Sequence, residues 1–270
     1  MSIPMPGAGI NNNVYGLPLA DLRNYLEAKY NFYNCPEFIQ GDPVSVPHKF
    51  IRKEDIEIAG FLTATISWGN RSTIIKNASV LMRYMDNSPY QFITGATNTE
   101  MNPLKTFVHR TFNGEDAEFF IRSLNNIYQK HGGLEQVFKN GMMIGRSLKE
   151  SMDYFRQVFF ELPHLPGTRK HLSSPALKSA SKRMNMFLRW MVRKDDRGVD
   201  FGIWNAIKPS DLYCPLDVHT GVQSRRLGLL IRRQNDWKAV EELTFNLRLL
   251  DPIDPVKYDF ALFGSGIHEK

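Results

Sequence analysis

Hydrophobic side chains recur at the spacing of an α-helix along most of this chain, and this periodicity constrains the fold more than any other feature. The helical pattern covers residues 19–30, 56–71, 74–85, 116–130, 134–140, 147–160 and 236–250. No segment alternates apolar and polar residues for long enough to indicate a confident strand. The pattern therefore predicts an all-α protein.

Turn-forming residues divide the chain into a leader and one long helical region. Residues 1–16 are rich in proline, glycine and asparagine and are predicted to be a flexible leader, followed by a single helical domain over residues 17–270. Residues 86–103 are also turn-rich and are predicted to form a surface loop. The leader lacks the basic and apolar regions of a signal peptide, and no apolar run is long enough to predict a membrane span.

The charge and the cysteine content limit the partners and the kinds of site that the chain can have. The net charge of +6 and the isoelectric point near 9.2 suit a polyanionic partner without establishing one. Cys35 and Cys214 are too few for a disulfide scaffold or a four-cysteine iron–sulfur cluster, and they are typical of a reducing cytoplasm. The chain has neither the histidine and cysteine spacing of a metal site nor a glycine-rich loop for nucleotide phosphates, so we expect no metal and no cofactor.

Two features between residues 163 and 230 carry the functional signal. Asp217 follows Pro215 at the start of a predicted helix, where a carboxylate usually caps the free N–H groups, and spacing alone favours that role. Upstream, residues 163–183 mix basic side chains with small and turn-forming ones, as a phosphate-contacting surface does. A solvated basic loop explains that composition equally well.

The motifs in this segment resemble those of a known superfamily. Residues 215–220 read Pro-Leu-Asp-Val-His-Thr, and residues 225–229 read Arg-Arg-Leu-Gly-Leu. They resemble the Pro-Val-Asp-Thr-His motif and the following helix of the helix-hairpin-helix DNA glycosylases. Residues 182–188 resemble the helix after the hairpin of that superfamily. The chain looks closest to a bacterial family of this superfamily and, among enzymes of known activity, is most similar to the archaeal oxidised-guanine DNA glycosylase/lyase.

One part of the superfamily pattern is missing. The hairpin reads Leu-Pro-Gly-x-Gly-x-Lys, and residues 176–182 occupy those positions here. Lys178 and Ala180 replace the two glycines. A hairpin that presents backbone N–H groups to phosphate is therefore the least supported element of the resemblance.

The resemblance implies a fold and a set of site residues. It implies two helical lobes with a cleft, one lobe over approximately residues 55–160 and the other over residues 17–54 plus 161–270. Lys182 would form a Schiff base with the sugar, and Asp217 would stabilise the sugar cation. The flipped base would lie against Trp68, Asn70 and Phe187. The implied DNA contacts are Arg169, Lys170, Lys178, Arg183 and Arg225.

The sequence favours one function and leaves two alternatives open. We expect a monomeric, cytoplasmic and nucleoid-associated DNA repair glycosylase, acting on double-stranded DNA with a damaged base and possessing abasic-site lyase activity. Because the hairpin glycines are missing, a non-catalytic DNA-binding protein with the same fold is the first alternative. A helical interaction module that binds no nucleic acid is the second. The enzyme hypothesis further requires the tips of Lys182 and Asp217 to lie within a water's reach of each other, and we expect Arg189 and Arg193 on the solvent face of the Lys182 helix.

Overall fold

A computed structural model describes residues 18–268, so the predicted leader lies outside the described residues. Over this range the chain contains α-helices and short 3-10 turns but no β-strand, which confirms the all-α prediction. The helices are α1 (Leu19–Tyr33), α2 (Glu37–Gln40), α3 (Lys53–Thr65), α4 (Arg71–Tyr84), α5 (Pro89–Gly95), α6 (Gly114–Lys130), α7 (Leu134–Gly145), α8 (Leu148–Phe159), α9 (Lys182–Val192), α10 (Val218–Arg226), α11 (Trp237–Leu250) and α12 (Tyr258–His268). None of the helices described is long and apolar enough to cross a membrane.

Polar caps fix where several of these helices begin. Asn113 and Asp116 form a capping box at the start of α6, each side chain accepting a hydrogen bond of 3.1 Å from the other's backbone N–H. Asp236 caps α11 by accepting a 3.1 Å hydrogen bond from the Ala239 N–H. These caps place the starts of α6 and α11 close to the predicted positions.

Several predictions about where elements begin and end are wrong; for example, the helix predicted over 134–140 continues to Gly145. The helix predicted over 56–71 ends at Thr65, and an irregular connection from Ile66 to Asn70 leads into α4. Residues 86–103 are not a simple loop, because Pro89 begins α5 and a 3-10 turn over Asn102–Thr106 follows. Proline at the first position of a helix needs no N–H partner there, so a turn-rich composition is compatible with a short helix.

Helix α3 lies at the centre of the core. Its residues from Ile56 to Thr65 are all buried, and α4, α5 and α9 pack against it. The Phe61 ring meets the Phe187 ring of α9 edge to face at 5.6 Å between centroids, and a cluster of aromatic rings from α6 and α8 surrounds Phe61. Helix α9 is therefore held firmly, and its first residue, Lys182, has a fixed position. The division into two lobes remains a prediction.

Arg189 and Arg193 lie in the interior, so their predicted position on the solvent face is wrong. Arg189 is 4% exposed and Arg193 is fully buried. Arg189 pairs with Asp200 and Asp259, while Arg193 pairs with Asp195, Asp200 and Asp254. These carboxylates outweigh the effect of burial and raise the pKa of Arg193. The network ties α9 to the 195–200 segment and to α12.

Candidate active site

Lys182 and Asp217 meet at the starts of two helices. Lys182 is the first residue of α9, and Asp217 precedes the first residue of α10. The Lys182 Nζ lies 3.8 Å from Asp217 Oδ2, with the side chains 28% and 21% exposed, respectively. The other oxygen, Oδ1, accepts a 2.9 Å hydrogen bond from the Thr220 N–H and caps α10. One carboxylate thus caps a helix and also faces an amine that solvent can reach.

These two side chains line a cavity of about 550 Å³. Its walls come from α9, the start of α10, α12, the connection between α3 and α4, and the segment around residues 38–43. Trp68, Met186 and Phe263 supply apolar surface to it. The Lys182 Nζ lies 6.0 Å from the centroid of the Phe263 ring. The cavity therefore combines an amine, a carboxylate and aromatic side chains.

Trp68 has a fixed orientation at the cavity wall. The guanidinium carbon of Arg183 lies over its ring at 4.9 Å from the centroid. The His171 ring stacks with it at 5.9 Å, and the His109 ring meets it edge to face at 5.0 Å. His109 Nε2 also lies 3.2 Å from the Trp68 carbonyl oxygen. Three neighbours thus fix the orientation of the Trp68 ring where it lines the cavity.

Arg183 is a partly buried cation next to Lys182. Its Nη1 donates a hydrogen bond to the Thr65 carbonyl at the end of α3. Burial lowers the pKa of its guanidinium to about 10. No acidic side chain among the described residues forms an ion pair with it.

Two buried carboxyl groups of the cavity, Asp42 and Asp259, were not identified from the sequence. Burial raises the pKa of Asp259 to about 6, although its hydrogen-bonded neighbour Arg189 opposes the change. Burial also raises the pKa of Asp42, whose Oδ1 accepts a 3.0 Å hydrogen bond from the Val44 N–H. For Asp259, the sequence offered one signal, an aspartate among the apolar residues of α12. Asp42 gave none, because Asp-Pro is common in turns.

Three residues that were predicted to contact the base or the DNA make contacts within the protein away from the cavity. Asn70 is exposed and caps α4 by accepting a 3.2 Å hydrogen bond from the Thr73 N–H. Phe187 is fully buried in the core, where its ring centroid lies 5.4 Å from that of Trp204. Arg225 donates hydrogen bonds to the Arg232 and Arg233 carbonyl oxygens and to Asn235. Neither Asn70 nor Phe187 lines the cavity described above.

The remaining predicted DNA contacts are exposed. Arg169, Lys170 and Lys178 all present exposed side chains. The Arg169 guanidinium carbon lies 5.1 Å from the centroid of the Phe160 ring. Lys178, at the position of the first hairpin glycine, has φ of 58°, and Ser181 has φ of 46°. Both residues occupy the left-handed region that favours glycine, so this turn keeps a glycine-like backbone without glycine.

Comparison with known proteins identifies a family but no characterised relative. A family model described as "Protein of unknown function (DUF2400)" matches residues 42–268. The matched region contains every residue that lines the cavity except Phe38, which precedes it. Neither the curated proteins nor the solved structures include a match to the chain.

Proposed function

The chain belongs to the DUF2400 family, and we propose that it is a DNA glycosylase that removes a damaged base from double-stranded DNA and cleaves the resulting abasic site. The observation that carries this proposal is the 3.8 Å approach of Lys182 Nζ to Asp217 Oδ2 in the wall of a cavity. An amine beside a carboxylate is what cleavage of an N-glycosidic bond through a Schiff base requires.

In the proposed reaction the neutral amine of Lys182 attacks C1′ of the sugar. The bond from C1′ to the base nitrogen breaks, and its electron pair leaves with the base. The Asp217 carboxylate stabilises the positive charge that develops on the sugar and then accepts a proton from the attached amine. The bond from C1′ to the ring oxygen then breaks, and the second proton of the Lys182 nitrogen passes to that oxygen. This leaves an imine between Lys182 and the sugar, which permits strand cleavage at the abasic site.

The size and walls of the cavity support binding of an extruded nucleotide. A volume of about 550 Å³ lies within the range of small-ligand sites. Trp68 offers an aromatic face of fixed orientation, and a base taken out of the duplex loses stacking that such a face restores. Met186 and Phe263 contribute further apolar surface on the side of α9 and α12.

The approach of the DNA is proposed to use the turn before α9. Exposed Arg169, Lys170 and Lys178 precede Lys182 in sequence, and cations at such positions neutralise backbone phosphates. The left-handed backbone at Lys178 supports the view that residues 176–182 serve as the hairpin despite the missing glycines. In this proposal the chain has the two-lobed helix-hairpin-helix arrangement with the cavity in its cleft.

A non-catalytic DNA-binding protein is the second candidate. The observation that favours it is the replacement of both hairpin glycines, at Lys178 and Ala180. Under this hypothesis the basic turn still binds duplex DNA, but the cavity releases no base.

A panel of duplexes, each with one damaged base, separates the two candidates. We expect the protein to release the base from at least one duplex of the panel, which includes oxidised guanine, and Asp217→Asn to suppress that release. Binding to duplex DNA without release from any lesion would favour the second candidate. Absence of binding at low salt would contradict both.

A further inference from the structure

We propose that Arg183 is a catalytic residue that stabilises the negative charge on the departing base. This inference rests on the proposed glycosylase function. It assigns to Arg183 a role inside the cavity, in place of the phosphate contact predicted from the sequence.

Arg183 carries a positive charge that no ion pair with a described residue neutralises. Its guanidinium is partly buried and lines the cavity beside Lys182. Its partners are one neutral carbonyl, that of Thr65, and the ring of Trp68. The Thr65 carbonyl lies at the C-terminus of α3, where the helix dipole supplies only a partial negative charge. A full cation therefore borders the cavity, and none of the described carboxylates forms an ion pair with it.

Arg189 in α9 and Arg193 just after its end are buried guanidiniums that carboxylates neutralise. Arg189 pairs with two aspartates, and Arg193 pairs with three. Removing an arginine from water is costly, and such ion pairs offset the cost. Arg183, on the same helix, lacks this compensation. An anion that enters the cavity would provide it.

The position of Arg183 suits an anion formed on the base. Arg183 follows the proposed nucleophile directly in sequence, and its guanidinium lies over Trp68, the proposed stacking surface. When the bond from C1′ to the base breaks, the electron pair leaves with the base and spreads over its ring nitrogens and oxygens. A positioned guanidinium stabilises that charge more in the transition state than in the intact nucleotide. Asp217 then gives up the proton that it accepted from the Lys182 amine, and the base anion takes it, so the base leaves in its neutral form.

A backbone phosphate is the less favoured anion for this site. Phosphates run along the outside of the duplex, and Arg169, Lys170 and Lys178 are exposed where such groups can be reached. Arg183 instead shares the cavity wall with Trp68 and Met186. If Arg183 contacted a phosphate, its removal would reduce the salt dependence of DNA binding and would slow both activities equally.

The test compares two substrates of the full-length protein. One duplex carries a damaged base that the wild type releases, and the other already carries an abasic site, from which no base departs. Single-turnover base release is measured on the first, and borohydride trapping of the imine on the second. Arg183→Met should slow base release by about 10²–10³-fold, the usual effect of losing one donor to a developing anion. The rate of imine trapping on the abasic duplex should change less than about threefold. A loss of about tenfold would indicate that Arg183 also acts in imine formation, a step that both substrates share.

Arg156→Met is the matched control. Arg156 Nε donates a 2.9 Å hydrogen bond to the Leu172 carbonyl, and its guanidinium carbon lies 5.0 Å from the Phe160 ring centroid. It therefore makes the same kinds of contact as Arg183 but does not line the cavity. Both activities should survive in this variant. Arg183→Lys, which keeps the charge, should recover part of the base release.

A second readout isolates the departing base. Across lesions whose bases differ in acidity, Arg183→Met should lose most activity on the least acidic base. Equal losses of activity on the damaged and abasic duplexes would overturn the inference. If the salt dependence of DNA binding were unchanged, such losses would indicate that Arg183 supports folding. If the salt dependence became smaller, they would indicate a phosphate contact. Unchanged base release would overturn it as well. If the wild type itself neither releases a base nor traps an abasic site, the proposed function fails, and this inference falls with it.

Discussion

The Nζ of Lys182 lies 3.8 Å from Oδ2 of Asp217, while Oδ1 of the same carboxylate is fixed by the Thr220 N–H. The helix cap that orients Asp217 therefore also aims its second oxygen at the amine. The core around Phe61 and the buried Arg189 ion pairs anchor α9, and with it the backbone of Lys182. Capping and catalysis are consequently not competing explanations of Asp217.

Asparagine at position 217 should separate these two roles. Asp217→Asn keeps an oxygen that can accept from the Thr220 N–H, so the unfolding free energy should stay close to that of the wild type. Base release should fall at least about 100-fold, since an amide carries no charge to stabilise the sugar cation. Asp217→Ala should show the same kinetic loss and an additional destabilisation of about 1 kcal/mol. Kinetics together with urea denaturation check both parts; equal stability of the two variants would argue against the cap.

Removing the exposed cations should weaken DNA binding and reduce the dependence of that binding on salt. For the triple variant Arg169→Ala, Lys170→Ala and Lys178→Ala, we expect the slope of log K against log salt to fall by about 0.9 for each lost phosphate contact. Fluorescence titration of a labelled duplex at several salt concentrations measures the slope. The charge-matched control replaces the exposed residues Lys105, Lys130 and Lys139. Equal effects of the two triple variants would assign the first three residues to a solvated face.

Some features could be predicted from the sequence because local physics determines them. The cap at Asp217 and the starts of α6 and α11 depend on neighbouring residues, and all three were anticipated. The burial of Arg189 and Arg193 was missed because their partners, from Asp195 to Asp259, come together only in the folded chain. A phenylalanine in a helix, such as Phe187, fits a core or a pocket equally well, and only packing decides between them.

Buried Glu57 should make stability depend on pH. Burial raises the pKa of Glu57 to about 6, against opposing hydrogen bonds of 2.6 Å from Tyr128 and Trp204. The folded state thus holds this proton more tightly than the unfolded state. The resulting stabilisation is complete below pH 4.5, the ordinary pKa of the group, and is lost as the pH rises through 6.

Glu57→Gln removes this titration and provides the measurement. The stability of the wild type minus that of the variant should decrease between pH 4.5 and pH 7 by up to about 2 kcal/mol. Urea denaturation at a series of pH values measures the difference. A difference that stays constant with pH, or increases, would contradict the raised pKa.

Gly264 should tolerate no side chain, because α12 packs closely against α1. A β-carbon at this position would lie 2.4 Å from Cγ of Tyr33, inside the ring rather than at a flexible tip. Gly264→Ala should therefore destabilise the protein by about 1–3 kcal/mol through overpacking. Thermal and urea unfolding measure the loss. Gly95→Ala, where nothing lies within 4 Å of the added carbon, is the control and should change stability little.

Borohydride trapping of an imine to Lys182 tests the central claim most directly. The wild-type protein, incubated with a duplex carrying an abasic site or an oxidised guanine and reduced with borohydride, should form a covalent complex whose modified residue is Lys182 by peptide mass spectrometry. Lys182→Ala should abolish the complex and still bind the duplex, whereas Lys194→Ala, at an exposed lysine beyond the end of α9, should trap normally. No complex with any duplex, or a complex that persists in Lys182→Ala, would contradict the account.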